Sequence, residues 1–343
     1  MNRTSQNAAD RTRDPLASWL NFSKGMEPSV ERTLTWFEVL GYNVLLRSDI
    51  VCGRHQAILR SYCNGILGDR FRESMQRINP DVPHQQIESI LDRLTAIRTM
   101  PVMQQNRQWH LQLLDGISVN SSISDRSRST TLQLLDFSNL LNNDWLVICS
   151  FPVIEGDYQH CLDLVVFING LPLAVFHGLH AGEKAWSLRA ACLQLQEYQT
   201  HLPKFFSFNE LLVLSNGIQS RIGTLTSQWK QFTPIHSVNG EDIPFSGGTE
   251  IETLIQGIFD KRRFLEIIQH FIVFRQSRTK LNKKLRSHSF CTINIPKPNN
   301  IVSLNCYVNK SQQVITDNLI QPDFQTYLNS DWPDSILCKV VKN

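Results

Sequence analysis

Asp163 is the residue on which chemistry in this chain would turn. It lies inside the apolar run 162–168, where a carboxylate is costly to bury unless a partner or a metal compensates it. Four further donors are close by in sequence: His160, Cys161, His177 and His180. Imidazole, thiolate and carboxylate together suit zinc or manganese. Side chains alternate along a strand, so a regular one would send His177 and His180 to opposite faces. The same residues therefore read more simply without a metal. Downstream, Gln194 and Tyr198 stand four apart, on one face of a helix, either as site residues or as its ordinary polar face. A second candidate region is a run of six bases with no acid: Arg275, Arg278, Lys280, Lys283, Lys284 and Arg286. Such a run can track phosphates, since each neutralised phosphate releases counterions. It can equally be a solvated helix face or a domain linker.

The elements that would position these residues follow from pattern. Two β-branched runs, 162–168 and 171–176, flank Asn169-Gly170, a dipeptide suited to a type I′ turn because both central residues need positive φ. A helix is expected over 184–202. This strand–turn–strand–helix unit is the expected centre of the fold. Before it, Glu27-Pro28 opens a helix that would bury Leu34, Phe37, Val39 and Leu40 and end at Gly41. A short strand is expected at 41–50, helices at 54–79 and 83–98, and strands at 110–119, 131–135 and 145–154. A serine-rich loop covers 121–131. After the central unit come a strand pair around Asn216-Gly217, a loop at 239–249 and one or two helices over 250–274. The last 57 residues show only isolated strand signals. Residues 1–25 read as a polar arm.

Bulk properties narrow the classes. The 343 residues, 41% hydrophobic and 19% charged, describe a globular protein with a large core, and the length suggests roughly two domains. A net charge of +3 is too small to indicate a nucleic-acid partner, for which local patches matter more. The eight cysteines form no CxxC pair, against a zinc ribbon or a disulfide scaffold and for reduced thiols in a cytoplasmic protein. The N-terminus has no apolar signal core and no uncharged apolar run reaches membrane length, so a soluble protein away from membranes is expected. No GxSxG elbow supports a serine hydrolase. Trp145, Trp186 and Trp229 read as packing residues.

Many blocks of the chain resemble the N-terminal nuclease domain of the restriction (R) subunit of type I restriction–modification enzymes. They begin with the helix leading to Leu40-Gly41-Tyr42 and the Ser48-Asp49-Ile50-Val51 after it. They continue through RINPDVPHQQIESILDRLT, NRQWHLQLLDGISV, LLDFSNLLNNDWLVICSFPVIEG, VVFINGLPLAVF and ELLVLSNGIQSRIGTLTSQWKQFTP, and together span about residues 30–275. The resemblance implies an α/β fold with a restriction-endonuclease-like core, a mixed β-sheet flanked by helices. It gives a nuclease-like domain at 26–275, between the polar arm at 1–25 and a basic linker with an unassigned segment at 276–343. In such PD-(D/E)xK domains an Asp on one hairpin strand and an acid-x-Lys tripeptide on the next do the chemistry. The two carboxylates hold Mg²⁺, a hard cation that takes oxygen ligands. The metal activates a water, and the Lys positions it and offsets charge in the transition state.

Carried over residue by residue, the match is partial. Asp163 falls where the first carboxylate and metal ligand belongs, though Leu162 replaces the usual preceding Pro. Gln194 and Tyr198 match a Gln-x-x-x-Tyr helix motif. The acid-x-Lys tripeptide falls on His177-Gly178-Leu179. Leu179 has neither donor nor charge, and an imidazole is a poor Mg²⁺ ligand. Glu183 and Lys184 could substitute only if they reach the site from near the helix start. The expected function is thus an R-subunit-like endonuclease domain acting on DNA with cleavage impaired. The alternatives are an active metal-dependent nuclease rewired through Asp163, His177 and His180, or a non-catalytic module binding DNA or a subunit. The resemblance names DNA and the methylation and specificity subunits as partners. These residues contain no GxxxxGK[ST] loop, so ATP hydrolysis is not expected from them.

Overall fold

In a computed structural model of the chain, the structure describes residues 28–51, 62–63, 65–96, 100–120, 129–179, 187–234, 237–238, 241–242, 249–276, 280–285, 289–297, 300–308 and 314–316. The centre is a six-stranded mixed sheet. In spatial order its strands are β1 (Asn43–Leu46), β2 (Trp145–Glu155), β3 (Tyr158–Ile168), β4 (Leu171–His177), β5 (Leu211–Ser215) and β6 (Ser220–Gly223). The pairs β1–β2 and β4–β5 are parallel, and the other neighbours antiparallel. β4 is buried along its whole length, as is the half of β3 from Leu164 to Ile168. Both faces of these strands are covered, which is why they read as continuous apolar runs rather than as an alternation.

One face packs against α1 (Pro28–Val39), α2 (Gly68–Ile78), α3 (His84–Thr95), α4 (Val102–Asp115) and α6 (Glu250–Ile258), through Phe37, Phe71, Ile87, Trp109 and Leu254 among others. The other packs against α5 (Leu188–His201) through Leu188, Ala191, Cys192 and Leu195. α7 (Lys261–Glu266) follows α6, then a π turn at Ile267–Phe271, and then the hairpin β7 (Ile272–Gln276) and β8 (Leu281–Leu285). Strands Ser289–Lys297, Asn300–Val308 and Val314–Thr316 form a separate three-stranded sheet. Among the described residues no helix is long and apolar enough to cross a membrane.

The turn at Asn169-Gly170 has the expected geometry, with φ of 55° and 77°. A Cβ on Gly170 would stand 2.6 Å from Leu67 O. Asn169 uses its side chain as well: Nδ2 donates to Leu134 O and Asn143 Oδ1, and Oδ1 accepts from Asp144 N. The turn therefore locks two loops against the sheet.

Other expectations needed correction. The strand read at 110–119 is mostly the end of α4, with only Ile117–Asn120 extended. Asn106, Trp109, His110 and Leu113 share one buried face at helical spacing, Pro101 precedes the helix, and Gly116 at φ 76° ends it. α1 buries Val30, Thr33, Leu34 and Phe37, which leaves Val39 facing solvent. The helix read at 54–79 is confined, among the described residues, to Gly68–Ile78, preceded by strands Tyr62–Cys63 and Ile66–Leu67. The helical reading of 250–274 fails at its end, where residues from Ile272 are strand. The basic run is not a helix face over 281–285, because that stretch is β8.

Candidate active site

β2 and β3 change phase together at one point. Val147 and Cys149 face the first core, whereas Phe151 and Val153 face the second; across from them Leu164 faces the first core and Leu162 the second. The switch falls on Ser150 and Asp163, opposed between the pairs Cys149–Leu164 and Phe151–Leu162. Ser150 sits in the left-handed region at φ 57°, a conformation that costs a non-glycine residue on the order of 1–3 kcal/mol and that clusters at functional sites.

Asp163 leans toward the end of β4, where pairing with β3 stops at Leu164–Phe176. Its Oδ2 accepts from the backbone N–H of Gly178 at 2.6 Å and of Leu179 at 3.0 Å. The carboxylate thus continues the hydrogen bonding that the strand pair has run out of. A charged acceptor strengthens such bonds.

The motif positions that follow part company. His177 is buried and turns toward α5, where its Nε2 meets Gln194 Oε1 at 3.0 Å and its ring lies 5.2 Å from that of Tyr198. With Gln194 so oriented Nε2 carries the proton, and Nδ1, 3.6 Å from Asp163 Oδ2, makes no hydrogen bond. Leu179 is 1% exposed and packs into the opposite core. The cause is Gly178: its φ of 95° breaks the alternation that would put residues 177 and 179 on one face. A Cβ there would stand 2.5 Å from Ser215 O, so the bend is confined to glycine.

Asp163, His177, Gln194 and Tyr198 are therefore brought together, while Leu179 is not. His160 lies beside them with its ring 4.1 Å from that of Tyr198, and its Nε2 meets His201 Nδ1 at 2.9 Å. Tyr158 stacks on His201 at 4.0 Å. Burial, and then the neighbouring His201 charge, pull His160 below the ordinary histidine range, with Glu197 opposing. The sequence does not single out His201, although it lies one turn beyond Tyr198 on the same helix. Cys161 is pushed up to about 11, chiefly by burial, although Arg47 draws close to its sulfur. Held as a thiol it is a weak ligand. Burial, followed by the Asp163 charge, also raises Tyr198.

Mg²⁺ takes oxygen ligands, and of the motif positions only Asp163 supplies a carboxylate, His177 bringing ring nitrogens instead. The Asp163 oxygen that faces His177 is already engaged by two amides, and the next donor is an imidazole. Among the described residues no three His, Cys, Asp or Glu side chains converge to hold a metal. His180, Glu183 and Lys184 lie outside the described residues.

The basic run is divided. Arg275, Lys280 and Lys284 are exposed, and Arg278 and Arg286 lie outside the described residues. Lys283 is not on the surface at all: it is 1% exposed, with Nζ 2.6 Å from Glu210 Oε2 and donating to Asn106 Oδ1 and Asn209 O at 3.0 and 2.9 Å. His110 Nδ1 meets the same Glu210 oxygen at 3.0 Å. Burial alone would raise the Glu210 carboxyl, but Lys283 and His110 outweigh it and hold it below the ordinary carboxylate range. No local sequence signal announces this cluster, since Glu210 stands 100 residues from His110 and its partner Lys283 lies on a later hairpin.

The comparisons with known proteins agree with this architecture. The family model described as type I restriction enzyme R protein N terminus matches residues 27–231, more than half of the chain. The chain is similar to the type I restriction enzyme HindI endonuclease subunit of Haemophilus influenzae, 23% identical over 267 residues that make up 76% of this chain and 25% of that protein. It is also similar to the putative type I restriction enzyme MjaIXP endonuclease subunit of Methanocaldococcus jannaschii, 24% identical over 233 residues, 62% of this chain and 22% of that protein. It spans about a quarter of the length of the curated relatives it matches. By the extent of the family match, the chain belongs to the type I restriction enzyme R protein N-terminal family.

Proposed function

We propose that this chain is the nuclease-type domain of a type I restriction R protein, working on DNA alongside methylation and specificity subunits, and that it does not cut DNA by the metal-assisted route. The observation that carries the reading is the state of the three motif positions. Asp163 is occupied as a hydrogen-bond cap on Gly178 and Leu179, His177 stands where a second carboxylate would be, and Leu179 points into the opposite core. Among the described residues no further acid joins Asp163 in a metal-holding cluster, and the lysine position is filled by an aliphatic side chain. Loss of a single well-placed electrostatic group lowers a rate by about 10²–10³, and here two are replaced. What the domain retains is shape: a rigid mixed sheet covered on both faces, suited to holding DNA or a neighbouring subunit.

The experiment is cleavage of supercoiled plasmid by the purified chain with Mg²⁺, Mn²⁺ or Zn²⁺. The expected result is no metal-dependent nicking above background. Nicking that requires one of these metals and disappears in Asp163→Ala would refute the reading and establish a rewired nuclease.

A further inference from the structure

We propose that the outward face of the β7–β8 hairpin is a contact surface for the phosphate backbone of duplex nucleic acid, with Arg275 and Lys284 as its contacting cations. The proposal rests on the reading that DNA is the partner, and it adds where and through which residues the contact is made.

The sequence first isolates the charge. Residues 267–316 contain eight Lys and Arg and no Asp or Glu, against +3 for the whole chain. The remainder is therefore acid-rich, and positive potential is concentrated in this segment. The hairpin register then sorts the bases by face. Val273 pairs with Lys284, Phe274 with Lys283 and Arg275 with Asn282. Alternation places Phe274 and Lys283 on one face and Arg275, Asn282 and Lys284 on the other. The first face is turned inward: Lys283 is buried against Glu210, its ammonium lies 5.4 Å from the Phe274 ring, and Phe274 packs against the main core. The second face carries exposed Arg275 and Lys284.

The inward face also fixes the outward one. Thr224 and Thr226 hydroxyls donate to Lys283 O at 2.8 and 2.7 Å, and Lys283 N donates to Thr226 Oγ1 at 2.9 Å. β8 is thus tied to the core through both its side chain and its backbone, and the two outer cations are held in place before any ligand arrives. That preorganisation lowers the ordering cost of binding. Arg275 and Lys284 are diagonal neighbours, about 7–8 Å apart for such a pair. That separation lets the two cations meet different phosphates of a duplex, which carries one phosphate per roughly 3.4 Å of helix axis on each strand. A protein interface would need apolar or aromatic anchors at its centre, and this face offers two cations, an amide and a half-buried valine.

The test is fluorescence anisotropy of a short labelled duplex with the full chain, over a range of salt, for the unsubstituted protein and Arg275→Gln/Lys284→Gln. Both side chains are exposed, so an unchanged melting temperature confirms that the variant is folded. The expected result is that the slope of log affinity against log salt becomes shallower by about 1.8, because each phosphate a cation neutralises contributes about 0.9. An identical slope in the variant overturns the hairpin assignment and leaves the DNA reading standing. Failure of the unsubstituted protein to bind duplex at low salt overturns both. Equal affinity for polyglutamate overturns the nucleic-acid assignment in favour of an acidic protein surface.

Discussion

Replacing Lys283 by methionine gives the sharpest contrast between the surface role its sequence context suggests and the one its position imposes. The substitution keeps the aliphatic length and removes the ammonium. Glu210, itself 1% exposed, then keeps only His110 Nδ1 on Oε2, while its Oε1 already has no hydrogen-bond partner. Asn106 Oδ1 and Asn209 O are each deprived of the ammonium as donor. Removing one partner of a buried ion pair costs about 3–5 kcal/mol, most of it the penalty of the charge left behind. Truncating an exposed lysine changes stability by about 0.5 kcal/mol or less. At about 2–4 °C per kcal/mol for a domain of this size, the melting temperature should fall by roughly 10 °C. Urea unfolding followed by circular dichroism measures the free energy directly. Lys283→Met/Glu210→Gln should be less destabilised than the sum of the singles, because the second substitution removes the orphaned charge. A destabilisation under about 1 kcal/mol in Lys283→Met would refute the buried pair and return Lys283 to the phosphate-binding set.

Three further outcomes rest on the same geometry. Glu210 is held ionised below its unfolded pKa, so its contribution is present above about pH 4.3 and is lost as pH falls through the lower folded value; Glu210→Gln should flatten this acid limb in pH-dependent unfolding. His160 is likewise depressed, which for a histidine has the opposite sense in charge: folding resists its protonation, so stability should fall as pH drops below about 6.5, and His160→Gln should remove that dependence. Leu179→Lys, a literal restoration of the motif residue, should destabilise by several kcal/mol in chemical denaturation, because the side chain enters the apolar core and not the Asp163 site; a variant as stable as the parent would contradict the placement of Leu179.

What could be read from the sequence was what local chemistry determines. The Asn169-Gly170 turn is specified by two residues that tolerate positive φ, and α5 by a single apolar face, so both were legible. α4 was not, because Gly116 alone separates its last turn from the strand Ile117–Asn120 and the helical face is partly polar. The burial of Asn106 is explained by partners distant in sequence: its amide donates to the carbonyls of Ser207 and Asn209, and its oxygen accepts from Lys283. The site shows the same divide. The types of residues 163, 177, 179, 194 and 198 can be read directly, including that 177 is a histidine and 179 a leucine. That Gly178 sends Leu179 to the other face depends on Ser215 O being 2.5 Å from where a Cβ would stand, a contact between strands far apart in sequence. The role of Lys283 was hidden for a related reason: within a basic run, one residue of an antiparallel ladder faces in while its neighbours face out.

Calorimetric titration of Mn²⁺ into the unsubstituted chain and into Asp163→Ala tests the central proposal most directly, since a nuclease of this architecture must first hold its metal. The account predicts no binding in either protein that depends on residue 163. Stoichiometric Mn²⁺ binding by the unsubstituted chain, abolished in Asp163→Ala, would contradict it.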